Sequence, residues 1–138
     1  MSARSKARKR ALDVLYESEV RGLPVGGTLG DRVADNDPPV NEFTVALVEG
    51  VSDHIDAIDE LLSTHSVGWT LDRMPAVDRN ILRIGVYELL FDEQVPDVVA
   101  VSEAVSMARD LSTDESPAFV NGLLARFKDL KPNLRRDQ

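Results

Sequence analysis

Apolar residues recur at steps of three and four along nearly the whole chain, which is the period of one face of an α-helix. In residues 4–21 this stripe consists of Ala7, Ala11, Val14, Leu15 and Ser18. No pair of alternating strands, no hairpin signal and no repeat of solenoid length competes with it. We therefore predict an all-α fold that begins with a helix over residues 4–21.

The middle of the chain alternates between breakers and helical stripes. Glycines and prolines interrupt residues 22–40 and leave room for a short helix at most. After Pro39, apolar residues from Phe43 to Leu62 predict one long amphipathic helix. Pro75 suits the first turn of the next helix. Apolar side chains cover most of the circumference of that helix, so we expect it to be central.

Two more helices are predicted in the last third of the chain. Residues 98–111 continue at helical spacing, although residues 98–101 alone would also fit a strand. Ser116 is a plausible N-cap for the last helix, with Pro117 at its first position. Glu88 falls inside the apolar arc of the central helix, where a carboxylate needs a hydrogen-bonding partner.

Composition places the chain among small intracellular domains. It has 138 residues, 43% of them hydrophobic, and no cysteine, which suits one domain spanning residues 1–138 in a reducing compartment. No apolar run approaches the ~18 residues that a transmembrane helix needs. We expect a cytoplasmic protein without membrane contact.

Charge is distributed unevenly along the sequence. The formal net charge is −8, yet residues 1–10 carry five bases and no acid. Residues 11–125 hold 6 bases and 22 acids. A basic N-terminal arm on an acidic body is a pattern that invites a binding explanation.

The sequence gives little support for an enzyme. His54 and His65 would lie about 16 Å apart on a helix, too far for one metal ion. Residues 26–30 are glycine-rich but lack the preceding strand and the following Gly-Lys-Ser/Thr of a phosphate-binding loop. No nucleophile elbow is present. We expect no catalytic residues, no metal site and no cofactor.

Basic residues give the stronger lead. Arg79 and Arg83 are one helical turn apart and share an arc with Asn80 and Tyr87, a combination that suits phosphates and unstacked bases. Phe119 falls at the edge of its helix, beside Arg126. The competing interpretation for the two arginines is ordinary ion pairing with the abundant acids.

Three blocks of sequence carry a resemblance to a known family. Residues 4–16 (RSKARKRALDVLY), residues 77–89 (VDRNILRIGVYEL) and residues 102–124, with SPAFVNGLL at their end, resemble the basic opening helix, the central helix and the closing helices of the NusB family of bacterial transcription antitermination factors. The blocks occur in the order and at the spacing usual in that family. Residues 22–40 are the part that matches least.

The resemblance implies two small packed helical bundles and a binding protein without enzymatic activity. Such a protein would pair with NusE, a ribosomal small-subunit protein, and bind boxA RNA of ribosomal RNA leaders, so that RNA polymerase with the other Nus factors resists termination. By matching position, the implied RNA-binding residues are Arg4, Lys6, Arg8, Arg10, Arg79, Arg83 and Phe119. Tyr16 and Asp78 are the implied residues on the NusE side.

Two other interpretations compete with this one. A helical adaptor that binds only protein would use the basic arm merely as a tail. The RNA-binding appendage of a ribosomal-RNA cytosine methyltransferase would need a methyl-donor fold and a catalytic cysteine, and this chain has neither. The sequence also leaves open whether the free protein is a monomer or a homodimer.

Overall fold

The computed structural model describes residues 2–36 and 38–136, and within these residues all regular structure is helical. The α-helices in this described part are α1 (Ala3–Val20), α2 (Leu29–Asp35), α3 (Glu42–Asp53), α4 (Ile55–His65), α5 (Ala76–Val86), α6 (Asp97–Leu111) and α7 (Ser116–Arg136). A 3₁₀ turn, Leu71–Arg73, precedes α5, and a π-helical turn, Tyr87–Phe91, follows it. The predicted all-α class is confirmed.

The prediction of one long helix from Phe43 to Leu62 is wrong. The chain leaves the helical conformation at His54, where φ is −112° and ψ is 15°, and a new helix begins at Ile55. Ser52 and Asp53 are weak helix formers because their side chains compete for backbone hydrogen bonds. The break falls next to the boundary between two compact units, Met1–Ile55 and Asp56–Gln138.

The first unit is built on the contact between α1 and α3. Ala11 and Val14 of α1 and Val51 of α3 are fully buried. The hydroxyl of Thr44 donates to the carbonyl of Ala7 at 2.9 Å, which fixes the two helices at their N-terminal ends. Small side chains on α1 allow this close packing.

Polar contacts fix the glycine-rich segment that follows α1. Ser18 and Thr28 are both buried, and the backbone N–H of Thr28 donates to the Ser18 hydroxyl at 3.1 Å. Gly26 lies in the left-handed region, with φ +72°, and a Cβ at this position would be 2.7 Å from Cγ1 of Val48. Val48 is 1% exposed, so its side chain would have to move within the core to make room for the added methyl group.

Gly26→Ala is expected to lower the free energy of unfolding by about 2–3 kcal/mol, because strain from the positive φ adds to a core clash. Urea denaturation measures the loss. Gly22→Ala is the matched control, since Gly22 has φ +69° but open space around it. It should lose only the conformational part, about 1 kcal/mol, and equal losses in the two variants would disprove the clash.

The second unit places α5 against α6 and α7, which also pack on each other. Gly85 allows the close approach, because a Cβ there would lie 2.8 Å from Leu124 and 3.5 Å from Ala104. Most of α5 is buried, as expected for a central helix. Its buried residues include several polar ones: Asp78, Asn80 and Arg83. Glu88, in the turn that follows, is also buried.

Candidate nucleic-acid interface

The basic arm lies along the first turns of α1, where two arginines stack on one aromatic ring. The guanidinium groups of Arg4 and Arg8 lie 4.8 Å and 5.1 Å from the centre of the Phe43 ring. Arg4 is exposed, whereas Arg8 is only 2% exposed. The cation–π contact holds the arm against α3. Sequence reasoning assigned Phe43 only to an apolar face and missed this role.

Lys6 and Arg10 line a groove beside the same arm. The groove has a volume of about 500 Å³, and Lys9, Pro38, Pro39 and Asn41 complete much of its wall. Asp13 also lines the groove, and desolvation raises the pKa of its carboxyl above the ordinary value. Nε of Arg10 is buried without a hydrogen-bond partner among the described residues. Three cations against one acid make this groove a positive site in an acidic chain.

Arg79 holds the backbone that leads into α5. Its Nη1 donates to the carbonyl of Leu71 at 3.0 Å and its Nη2 to that of Met74 at 3.1 Å. These bonds fix the 3₁₀ turn before the helix. The side chain is half-buried, so Arg79 stabilises the local backbone and extends little into solvent.

The guanidinium group of Arg83 donates to the side chains of two other residues, Asp59 and Asn80. Nε and Nη2 donate to the two carboxylate oxygens of Asp59 at 2.9 Å and 2.8 Å, and Nη1 donates to Asn80 at 3.1 Å. Its side chain is 10% exposed. This two-point bond ties α5 to α4 and supports the ion-pairing interpretation for Arg83.

The two arginines nevertheless line one cleft, of about 390 Å³, together with Ser63 and Asp72. The hydroxyl of Thr70 donates to Asp72 at 2.7 Å and lowers the pKa of that carboxyl. Asp72 therefore stays charged at neutral pH. The cleft therefore holds two bases and one acid, whereas the groove beside α1 holds three bases and one acid.

Phe119 is half-buried at the edge of α7, and its ring meets that of Trp69 edge to face, with 4.9 Å between the centroids. Beside the ring is a pocket of about 240 Å³, lined also by His65, Gly122 and Arg126. An aromatic edge next to an exposed arginine suits an unstacked base and its phosphate. Sequence reasoning left Trp69 unassigned, although a lone tryptophan in a linker is a usable signal, and the structure places it against the predicted site residue Phe119.

The two residues expected on the NusE side differ sharply in exposure. Tyr16 is 39% exposed, whereas Asp78 is 0% exposed. The carboxylate of Asp78 accepts hydrogen bonds from the hydroxyls of Ser112 and Ser116, the latter at 2.7 Å. The carboxylate of Asp78 is enclosed within the chain, so the implied place of Asp78 on the NusE side stays a prediction.

The same network corrects the predicted start of the last helix. Ser116 lies inside α7, and its hydroxyl donates to Asp78 instead of capping the helix end. The first carbonyl of the helix is that of Glu115, which accepts from the N–H of Phe119 at 3.2 Å. The predicted N-cap is therefore one residue too late, and the Ser116 hydroxyl bonds to a buried carboxylate.

Across residues 2–36 and 38–136, no group of three or more His, Asp or Glu side chains could hold a metal ion. None of the described helices combines the length and the apolar character needed to cross a membrane.

Comparison with known proteins identifies the family. The NusB family model matches residues 5–129. The transcription antitermination protein NusB of Thermobifida fusca is 61% identical over 132 residues, which are 96% of this chain and 93% of the relative. The NusB of Streptomyces griseus is 56% identical, with all of both chains covered.

Solved structures agree with this match. NusB of T. maritima superposes with a TM-score of 0.83 at 28% identity, covering 99% of each chain. A structure of antitermination factors NusB and NusE in complex with double-stranded RNA gives a TM-score of 0.79 at 30% identity, covering 91% of this chain and 96% of the other. By sequence and by fold, the chain belongs to the NusB family.

Proposed function

We propose that this protein is a transcription antitermination factor that binds boxA RNA of ribosomal RNA leaders together with NusE. In the cytoplasm it would act with RNA polymerase and the other Nus factors to resist termination. The observation that carries the proposal is the cationic groove of α1 in a chain of net charge −8. The relatives named NusB and the solved NusB–NusE–RNA assembly support it.

The seven predicted RNA-binding residues have two kinds of role in this proposal: some contact the RNA directly and others position the surface. Arg4, Lys6 and Arg10 reach phosphates, and Phe119 stacks on a base. Arg8, Arg79 and Arg83 are positioning residues, because each is held by a ring, by backbone carbonyls or by a carboxylate. Both units would then serve one RNA-binding domain, with no catalytic residue and no cofactor.

NusE is proposed to dock on the side of the first unit that carries Tyr16. Val20 lies one helical turn further along α1 and is 64% exposed. Tyr16 at 39% and Val20 at 64% form an exposed apolar strip. Aromatic residues with an exposed ring and a hydroxyl are frequent anchors of protein interfaces.

Binding of labelled boxA RNA tests the proposal against a scrambled RNA, with and without NusE, by fluorescence anisotropy. We expect sequence-selective binding that NusE strengthens. Raising salt from about 50 to about 200 mM should weaken it roughly 10- to 50-fold, because three or four neutralised phosphates release their counterions. Salt-insensitive binding would contradict phosphate contacts.

One observation favours the second candidate function, a helical adaptor that binds only protein. Three of the seven RNA candidates, Arg8, Arg79 and Arg83, are buried or half-buried, and their guanidinium groups contact a ring, backbone carbonyls or a carboxylate. If neither RNA binds selectively under any condition while NusE still binds, the adaptor is the better account.

A further inference from the structure

A groove between α6 and α7 takes no part in the proposed RNA surface. It has a volume of about 440 Å³, and its apolar wall consists of Val98, Val101 and Val105 of α6 with Ala125 of α7. Val98 is 67% exposed. Val101 and Val105 are half-buried, so the row offers partly exposed apolar surface that a partner could bury.

The rim of this groove is cationic although the surrounding body is acidic. Arg109 and Lys128 line it and are exposed, and neither has an ion-pair partner among the described residues. Asp97, at one end of α6, is neutralised by Lys131 at 2.5 Å. The remaining acids of α6, Glu103 and Asp110, point about 145–165° away from the mean direction of the valine row on a helical wheel.

The spacing of the wall residues matches the surface of another helix. Val98, Val101, Val105 and Arg109 follow the steps i, i+3, i+7 and i+11 along α6, a row about 16 Å long and three turns in extent. A helix that docks in such a groove presents apolar residues at the same steps and polar residues on its flanks. Flanking carboxylates would meet Arg109 and Lys128.

From this geometry we propose that the α6–α7 groove is a docking site for an acidic amphipathic helix of a partner protein. A second copy of the chain is a poorer occupant, because a two-fold contact of groove on groove would face one cationic rim with another. The inference goes beyond RNA binding and does not rest on it.

Nuclear magnetic resonance of the full-length, ¹⁵N-labelled protein tests the proposal. The probe is a designed helical peptide of about 15 residues with leucines at i, i+3 and i+7 and glutamates on both flanks. A sister peptide carries lysines in place of the glutamates. We expect amide shifts confined to the groove walls of α6 and α7 with the acidic peptide, and no saturable shifts with the lysine peptide.

Charge reversal at the rim adds a second readout. The double variant Arg109→Glu with Lys128→Glu should weaken the acidic peptide at least about tenfold. The control Arg21→Glu with Arg73→Glu makes the same change in net charge at exposed positions outside the groove, and it should change the affinity less than about twofold.

Four results would overturn the docking site. They are shifts that map away from the groove, equal affinity for the two peptides, groove shifts that appear with protein concentration alone, and groove shifts caused by a single-stranded RNA. The third would assign the groove to a second copy, and the fourth to nucleic acid. The comparison of peptides needs no variant, so it stands even if a substitution impairs folding.

Discussion

Replacing Lys6 and Arg10 together by glutamate is expected to weaken boxA RNA binding by at least about 100-fold at low salt. Each change removes an attraction to phosphate and adds a repulsion, and each tenfold step corresponds to about 1.4 kcal/mol. The groove that these two side chains line holds three bases, Lys6, Lys9 and Arg10, against one acid, Asp13. Fluorescence anisotropy with labelled RNA measures the loss.

A matched double variant separates local charge from net charge. Arg21 and Lys128 are exposed cations that lie outside the groove of α1 and the Phe119 pocket. Their replacement by glutamate changes the net charge equally and should weaken RNA binding less than about fivefold. If the two double variants lose affinity to the same extent, the groove is not the RNA site.

Asp78→Ala is expected to lower the free energy of unfolding by about 2–4 kcal/mol, because the buried hydroxyl of Ser116 and the half-buried hydroxyl of Ser112 lose a charged acceptor. For a chain of this length the melting temperature should fall by roughly 10 °C. Asp78→Asn keeps the shape and one acceptor oxygen, so its loss should be about half as large. Thermal and urea denaturation measure both variants.

The Asp78 variants also test whether this residue contacts NusE directly. A residue that supports the start of α7 from inside should change stability first, with NusE affinity reduced only as folding is lost. Tyr16→Ala should behave in the opposite way, since an exposed anchor contributes to binding more than to folding. An Asp78→Ala protein of full stability that no longer binds NusE would restore the direct contact.

Periodicity was sufficient for the fold class, because each helix buries one face and the apolar spacing records that face directly. It failed at His54 for a physical reason. Val51, Ile55, Ile58 and Leu62 keep nearly the same direction on a continuous wheel. The pattern therefore contains no sign that the backbone stops and restarts.

The burial of individual side chains and their hydrogen-bonding partners could not be predicted from the sequence in the same way. Lys6 and Arg83 are both basic residues on helices, yet one lines an open groove and the other is closed by Asp59, 24 residues earlier in the chain. Asp78 finds its partners 34 and 38 residues later. Such pairings depend on how helices meet, and helical spacing does not encode them.

The contact of Trp69 with Phe119 gives the molecule an optical reporter of its own. Trp69 is the single tryptophan of the chain, so excitation at the red edge of protein absorbance observes this one ring and its immediate surroundings. A base that stacks on Phe119 would change the polarity and the quenching around the indole. Occupancy of the pocket could therefore be followed in the unmodified protein by its intrinsic emission.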